Sequence, residues 1–177
     1  MPGPPAGIKA LAQTGESILV SWLPPIKPNG HISYYTIFSR EAGRIGKHTS
    51  YTFRAEDSSV KYGLILEIRN LIEDKLYEFW VSATTNVGEG ESTPNVVQSP
   101  KSRAPSRIAS FGQLLPRSVT SKILLPCHSV GNPTPRTMWT HYDMKLTANK
   151  FYDIGSDGHL LIRSKYGSIE LFIYIFI

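Results

Sequence analysis

Short stretches in which apolar and polar residues alternate with a period of two recur through the first hundred residues. A strand places alternate side chains on opposite faces, so each stretch predicts a half-buried β-strand. The stretches are 17–22 (SILVSW), 32–40 (ISYYTIFSR), 64–71 (LILEIRNL) and 77–85 (YEFWVSATT). The apolar residues that share one face of their strands are Ile18, Val20, Trp22, Tyr35, Ile37, Leu66, Ile68, Tyr77, Phe79, Val81 and Ala83.

Turn-forming sequences separate these predicted strands. Residues 27–30 read KPNG, residues 86–91 read NVGEGE, and the pair Pro24-Pro25 ends the strand over 17–22. No stretch combines a helical period with capping residues. The 14 Gly and 13 Pro, together with 3 Trp, 9 Tyr and 7 Phe, also favour β structure. We therefore predict that residues 4–100 form a β-sandwich of about seven short strands.

Residues 4–100 resemble a fibronectin type III domain. That family has a Trp before a Pro pair, a Tyr on the third strand, a Leu six residues before a second Tyr, and an Asn-x-x-Gly-type turn. The matching residues are Trp22, Pro24, Pro25, Tyr35, Leu71, Tyr77, Ala83, Asn86 and Gly90. Glu73 departs from the pattern, because the family usually has a Pro two residues after the Leu, and this change is expected to weaken the turn.

The resemblance implies structural roles for Trp22, Tyr35, Leu71 and Tyr77. Trp22 is expected to fill the space between two sheets, since so large a ring beside apolar neighbours is costly to expose. Tyr77 is expected to hydrogen-bond the backbone at the corner before its strand. Neither residue is predicted to bind a ligand.

The second part of the chain begins with a short basic segment. Residues 101–107 (KSRAPSR) predict an interdomain linker, and residues 108–119 predict an edge strand. The following stretch resembles an immunoglobulin domain of the intermediate type, in which a Cys strand is followed by Gly-x-Pro-x-Pro and a Trp strand. The matching residues are Ile123, Leu125, Cys127, Gly131, Pro133, Pro135 and Trp139.

This resemblance stops before the domain is complete. Residues 156–164 (SDGHLLIRS) resemble the fifth strand, but the Asp-x-Gly-x-Tyr-x-Cys of the sixth strand has no counterpart. The second unit is therefore predicted to be a partial immunoglobulin-like domain over 108–164 that lacks its last two strands. The missing strand implies that Trp139 is uncovered and that Cys127 has no disulfide partner. Both residues are expected to be structural.

The remaining residues, 165–177, are predicted to be an apolar tail foreign to the family. Their last part, LFIYIFI, is rich in strand-forming residues but lacks the polar alternation of an outer face. We therefore expect that the tail does not replace a missing strand. An exposed, uncharged apolar run without Pro is an aggregation hazard.

The chain contains 1 Cys, which is Cys127. An unpaired Cys can be a free thiol, a partner in an intermolecular disulfide or a metal ligand. Its inward position between apolar residues favours a buried structural thiol. His128 is adjacent in sequence but is expected to point to the opposite face of the strand, so it is not positioned as a catalytic base.

The net charge of +5 is distributed unevenly. Residues 1–100 contain 9 Lys and Arg against 10 Asp and Glu, a net charge of −1, whereas residues 101–177 contain 10 against 4, a net charge of +6. This contrast indicates two units. The basic residues are scattered singly, which does not favour nucleic-acid binding. The charge favours weak attraction to acidic glycans over nucleic-acid binding. The longest apolar run, residues 171–177, is far shorter than the roughly 20 residues of a membrane span.

No motif predicts catalysis, a cofactor or a metal site. The histidines are dispersed, no pair has metal-binding spacing on a helix, and no glycine motif for phosphate is present. The start of the chain, MPGPPAG, has neither the basic nor the apolar region of an export signal. A sandwich scaffold supports many functions, so the fold alone does not exclude an enzyme. We do not predict one, because no constellation of residues supports catalysis.

The order of the two units favours one class of protein. That order, together with the segments PPAGIKA, SILVSWLPP, YEFWV, NVGEGE and RIASF, resembles the Down syndrome cell adhesion molecule family. The resemblance implies a fragment of a cell-surface adhesion molecule of the immunoglobulin superfamily, with roles in axon guidance and neuronal wiring. It implies that the chain belongs to the extracellular part of a single-pass plasma-membrane protein. It also implies that the partners are other cell-surface protein modules, among which copies of the full-length protein are one alternative. This segment would be a structural spacer.

A second interpretation is a cytosolic, muscle-type array of fibronectin and immunoglobulin domains with a scaffold role. It accounts for a lone Cys, because cytosolic modules often keep this core without a disulfide.

Overall fold

Within the part of the chain that is described, every regular element is a β-strand, which confirms the predicted all-β class. A computed structural model describes residues 1–55, 64–111, 122–141, 144–163 and, for the backbone alone, 172–176. The strands form two tandem units, over residues 1–100 and 104–176. In the described ranges, no helix has the length and apolar character needed to span a membrane.

The first unit is a sandwich of two antiparallel sheets. Its strands are β1 (Ile8–Thr14), β2 (Ser17–Trp22), β3 (Ile32–Glu41), β4 (Thr49–Arg54), β5 (Leu64–Ile68), β6 (Tyr77–Thr85), β7 (Gly88–Glu89) and β8 (Val96–Gln98). One sheet has the order β1-β2-β5, and the other has the order β4-β3-β6, with β7 and β8 both paired to β6. The alternating stretches of the sequence thus become β2, β3, β5 and β6 of the sandwich.

The core of this unit lies between the two sheets, where the alternating apolar residues meet. In register, Val20 of β2 pairs with Leu66 of β5, and Ile37 of β3 pairs with Val81 of β6. Leu66 is only partly buried, whereas Ile37 and Val81 are 0% exposed. The buried members of the core are Ile18, Val20, Trp22, Tyr35, Ile37, Phe53, Leu64, Ile68, Leu71, Tyr77, Phe79, Val81 and Ala83.

The strand along the outer edge of β6 is interrupted, so β7 and β8 occupy the place of one longer strand. Between them, the Thr93 amide donates to the carbonyl oxygen of Val81 at 2.9 Å, and the Thr93 hydroxyl accepts from the Val81 amide at 3.1 Å. The backbone of the edge therefore stays bonded to β6 although the regular ladder is broken.

The second unit contains eight further strands. They are β9 (Ala104–Ile108), β10 (Ile123–Leu125), β11 (Ser129–Asn132), β12 (Arg136–His141), β13 (Met144–Lys145), β14 (Tyr152–Ile154), β15 (Leu160–Ile162) and β16 (Phe172–Phe176). The strand orders are β10-β15-β14, β13-β12-β16 and the pair β11-β9. Its core is built from the residues Leu125, Cys127, Trp139, Leu146, Leu160 and Ile162.

The predicted linker is too long. Of residues 101–107, those from Ala104 onward belong to β9, which pairs with β11 and is therefore part of the second unit. Only residues 101–103 lie outside a strand. Of the edge strand predicted over 108–119, Ile108 lies in a strand, as the last residue of β9. Residues 112–119 of that prediction lie outside the described residues.

The expectation that the apolar tail would not replace a strand is wrong for residues 172–176. These residues form β16, which pairs antiparallel with β12 and places Ile173 opposite Trp139. A backbone ladder needs no polar outer face, because it is made by amide and carbonyl groups. Trp139 is 2% exposed, so the expectation that it would be uncovered is also wrong. Residues 165–171 and 177 of the predicted tail lie outside the described residues.

Candidate functional site

Trp22 and Tyr35 lie at the centre of the first core, where the alternation of β2 and β3 directs them inward. Trp22 is 1% exposed. Its ring centroid lies 5.6 Å from that of Tyr35 and 5.3 Å from that of Phe53, both in edge-to-face contact. Burial raises the pKa of the Tyr35 hydroxyl above its usual range. The surroundings of both rings are those of a packed core.

Leu71 and Tyr77 form a corner at the entry to β6. The hydroxyl oxygen of Tyr77 accepts a hydrogen bond from the Ile72 amide at 3.1 Å. The Leu71 amide donates to the carbonyl oxygen of Glu16 at 3.0 Å, which ties the corner to the β1–β2 turn. The side chains of Leu71 and Tyr77 are buried. The arrangement resembles the tyrosine corner of other sandwiches.

Cys127 and Trp139 lie together in the second core. Cys127 is 0% exposed, and its amide donates to Nδ1 of His159 at 3.0 Å. Burial raises the pKa of the Cys127 thiol to about 11, so the nucleophilic thiolate is scarce at neutral pH. The Trp139 indole donates from Nε1 to the carbonyl oxygen of Gly158 at 2.8 Å. Among the described residues, no group of three or more His, Cys, Asp or Glu side chains is placed to hold a metal ion.

The residues that the fold brings together from both units form a junction, which we call the joint. It consists of Lys9, Ser21 and Glu73 from the first unit and of Ser102, Ile108, Ala109, Ser110 and Phe111 from the segment that leads into the second. Strand β1 lies beside β9 and β11 along this junction. The joint is the candidate functional site of the chain, because it determines how one unit is held against the other.

Ser21 makes the buried hydrogen bond at the centre of the joint. It lies between Val20 and Trp22 on β2 and points away from the sandwich core, yet it is 1% exposed. Its hydroxyl donates to the carbonyl oxygen of Ala109 at 2.8 Å. Ala109 is itself 0% exposed, and its amide donates to the carbonyl oxygen of His128 at 2.7 Å. The bond thus connects β2 to the second unit through a desolvated backbone segment.

Lys9 clamps the same segment from β1. Its ammonium donates to the carbonyl oxygens of Ser110 at 2.9 Å and Ile108 at 3.4 Å. It also lies 4.4 Å from the ring centroid of Phe111, within the range of a cation–π contact. Burial lowers the pKa of the Lys9 ammonium. These contacts hold the carbonyl oxygen of Ile108 at the end of β9, the carbonyl oxygen of Ser110 and the ring of Phe111.

Glu73 fastens the start of the same segment. Its carboxylate accepts a hydrogen bond from the Ser102 amide at 2.8 Å and contacts the Ser102 hydroxyl. The Lys101 amide donates to the carbonyl oxygen of Thr14 at 3.0 Å, and the Asn132 side chain donates to the carbonyl oxygen of Ser102. The residue that departs from the family pattern therefore contacts the linker, a role that a Pro side chain cannot fill.

A comparison with models of protein families agrees with the fold of the first unit. The fibronectin type III domain model matches residues 3–99 of the chain, more than half of its length. The chain belongs to this family. The fibronectin type III unit thus ends just before the segment that forms the joint.

The similarity to characterised proteins extends beyond the fibronectin type III unit. The cell adhesion molecule DSCAML1 of Homo sapiens is 38% identical over 164 residues, which cover 93% of this chain and 8% of that protein. The cell adhesion molecule Dscam1 of Drosophila melanogaster is 35% identical over 164 residues, and human DSCAM is 37% identical over 139 residues. The resemblance to the Down syndrome cell adhesion molecule family is thereby confirmed. The chain spans less than a tenth of the length of these relatives.

Solved fibronectin type III structures overlay on part of the chain. The FN5 domain of Drosophila Lar has a TM-score of 0.46 and 26% identity, and it covers 57% of this chain and 98% of that domain. The FN1–FN3 domains of chicken CNTN1 have a TM-score of 0.49 and 16% identity, with coverage of 57% and 33% respectively.

Sequence patterns did not reveal Lys9 and Ser21 as joint residues. Both lie at outward positions of fibronectin type III strands, where a polar residue normally faces water and needs no explanation. The one signal in the sequence is the segment RIASF, which contributes Ile108, Ala109, Ser110 and Phe111 to the joint. In the sequence, this segment indicates family resemblance and not a contact between units.

Proposed function

We propose that this chain is a segment of a cell-surface adhesion molecule and acts as a structural spacer with a fixed joint. The spacer has two parts. They are the fibronectin type III unit and an immunoglobulin-like unit that begins near Ala104. In the whole protein, the segment would lie in the extracellular part of a single-pass plasma-membrane protein. The functions of that protein would be adhesion, including homophilic adhesion, and axon guidance.

The observation that carries this proposal is the extent of the similarity to human DSCAML1. The matched 164 residues leave out only 13 of the 177, so the match includes parts of both units and the joint between them. A similarity to an isolated fibronectin type III domain would stop near residue 99. A match of this extent supports the proposal that the chain is a segment of an adhesion molecule.

We further propose that the six residues singled out from the sequence are structural. Their burial supports this role: each is at most 9% exposed, and each lies in one of the two cores. They are Trp22, Tyr35, Leu71, Tyr77, Cys127 and Trp139. The raised pKa of the Cys127 thiol, caused by burial, is consistent with a chain that does no catalysis.

The partners proposed for the whole protein are other cell-surface modules, and a spacer should not itself bind copies of the chain. Beads coated with the full chain should remain dispersed, while beads coated with the human DSCAML1 ectodomain serve as the positive control. In sedimentation equilibrium, the chain should behave as a monomer at micromolar concentration. A saturable homodimer of fixed stoichiometry would overturn the spacer assignment and favour a recognition module.

A further inference from the structure

The loop between β2 and β3 contains Asn29-Gly30, the one Asn-Gly pair of the chain. Both residues are exposed and lie outside the strands. Both also have a positive φ, which is +48° for Asn29 and +137° for Gly30. Among the residues that the structure describes, the Gly30 amide donates to no carbonyl oxygen and to no side chain. The backbone nitrogen that follows Asn29 is therefore unengaged, and no Cβ on its own residue hinders its approach to a neighbouring group.

The side chain of Asn29 holds the first residues of the chain. Its Nδ2 donates to the carbonyl oxygen of Met1 at 3.1 Å. The Gly3 amide donates to the carbonyl oxygen of Lys27, in the same loop, at 2.9 Å. The Asn29 amide and the Lys27 carbonyl together fasten residues 1–3 to the loop between β2 and β3.

We propose that Asn29 is a site of spontaneous deamidation and that its conversion releases residues 1–3 from the loop. The Gly30 nitrogen gives its proton to water or hydroxide and attacks Cγ of Asn29. A bond forms between these two atoms, the Cγ–Nδ2 bond breaks, and Nδ2 takes up a proton and leaves as ammonia. Water then adds to either carbonyl carbon of the cyclic imide, and the ring opens to aspartate or isoaspartate. Water is the only co-reactant.

The reaction removes the same nitrogen that holds Met1. A carboxylate has no hydrogen to donate, so the Met1 carbonyl oxygen loses its side-chain donor. The new negative charge lies in a depression that Glu89 and Glu91 also line, and like charges repel one another. In the isoaspartate product, the backbone also runs through the former side chain, which changes the path of the loop. All three changes weaken the attachment of residues 1–3.

Asn70 has a similar backbone conformation without the same chemistry. It is exposed, and its φ is +61°. The residue that follows it is Leu71, whose amide donates to the carbonyl oxygen of Glu16 at 3.0 Å. The nitrogen that would attack is therefore engaged, and it belongs to a residue with a bulky side chain. Asn70 should stay unmodified under conditions that convert Asn29.

The test incubates the full chain at body temperature and mildly alkaline pH and then maps its tryptic peptides by mass spectrometry. Residues 10–40 contain Asn29 as their only Asn, and residues 70–75 contain Asn70 as theirs. The converted fraction of Asn29 should exceed that of Asn70 by at least about tenfold. Methyl transfer from S-adenosylmethionine by an isoaspartyl methyltransferase reports the isoaspartate product. In N29Q this signal should fall to background, because the longer side chain closes the ring far more slowly.

The release of residues 1–3 is tested by the exchange of the Gly3 amide with deuterated solvent, followed by NMR. N29D should speed this exchange about threefold or more, since the segment loses a hydrogen bond that holds it. The matched control is N70D, which adds the same charge at another Asn with a positive φ in the same unit. This control should leave the exchange of the Gly3 amide unchanged.

Two sets of results would overturn the proposal. No conversion of Asn29, or equal conversion of Asn29 and Asn70, would contradict the modification site. Equal exchange of the Gly3 amide in N29D and in the unchanged chain, or equal acceleration in N70D, would contradict the release of residues 1–3. None of these outcomes bears on the spacer proposal, which depends on the absence of self-association and on the joint.

Discussion

The hydroxyl of Ser21 donates to the carbonyl oxygen of Ala109 at 2.8 Å, and both residues are almost completely shielded from solvent. One lies on the second strand of the fibronectin type III unit, and the other lies in the segment that enters the second unit. An outward-facing strand position has therefore become buried because a neighbouring unit covers it. A buried carbonyl needs its donor, so this pair is more costly to disrupt than a surface contact.

The first prediction concerns this hydrogen bond. S21A should lower the free energy of unfolding by about 1–3 kcal/mol, since it leaves the Ala109 carbonyl desolvated without a side-chain donor. Chemical denaturation followed by fluorescence measures the change. The control is S39A, because Ser39 is also a buried strand serine but makes no side-chain hydrogen bond within the described residues. Equal effects of the two substitutions would show that the hydroxyl–carbonyl bond has no special role.

The tyrosine corner gives a second prediction. Y77F should cost about 1–3 kcal/mol, because the Ile72 amide loses its acceptor, the Tyr77 hydroxyl. Y51F removes the hydroxyl of a half-buried Tyr on β4, and it should change stability by less than about 0.5 kcal/mol. Urea denaturation of both variants separates the outcomes. If Y77F left the free energy of unfolding unchanged, water would be replacing the hydroxyl at this corner.

The second core is predicted to be sensitive at Gly158. This residue has φ of +86°, and an added Cβ would lie 2.5 Å from Oγ1 of Thr137. G158A should destabilise the second unit by more than about 2 kcal/mol, and the double variant T137A/G158A should recover part of the loss.

Gly43 offers a matched control for G158A. It has φ of +81° but nothing within 4 Å of an added Cβ, so G43A isolates the backbone strain, about 1–2 kcal/mol. Thermal melts of the full chain measure all three variants. If G158A were no more destabilising than G43A, the close contact with Thr137 would be absent in solution.

Alkaline pH should weaken the second unit through Cys127. Burial raises the pKa of this thiol from 9.0 to about 11 in the folded chain, so the thiol stays protonated there while the unfolded chain ionises. The stabilisation is complete below pH 9.0 and is lost as the pH rises to about 11. Its size is about 2–3 kcal/mol. Unfolding free energies measured across this range should fall less steeply for C127A, and parallel pH profiles would contradict the burial of the thiol.

Much of the first unit could be predicted from its sequence, because local alternation and sandwich burial coincide there. Phe79 and Val81 are inward in the sequence pattern and buried in the fold. The pairing of β16 with β12 could not be predicted: its residues are rich in strand formers, but the ladder is made by backbone groups and the side chains do not alternate. The burial of Ser21 could not be predicted for a different reason: it depends on a contact with Ala109 of the neighbouring segment, 88 residues away in the chain.

The central claim is that the joint holds the two units in one arrangement. Its most direct test is the distance distribution between spin labels on T52C of β4 and A148C of the second unit, both exposed positions, measured by double electron–electron resonance. Native Cys127 should remain unlabelled because it is 0% exposed. We predict one narrow distance peak for the otherwise unchanged chain and a broadened distribution when S21A and K9M are added. A broad distribution that these two substitutions leave unaltered would contradict a fixed joint.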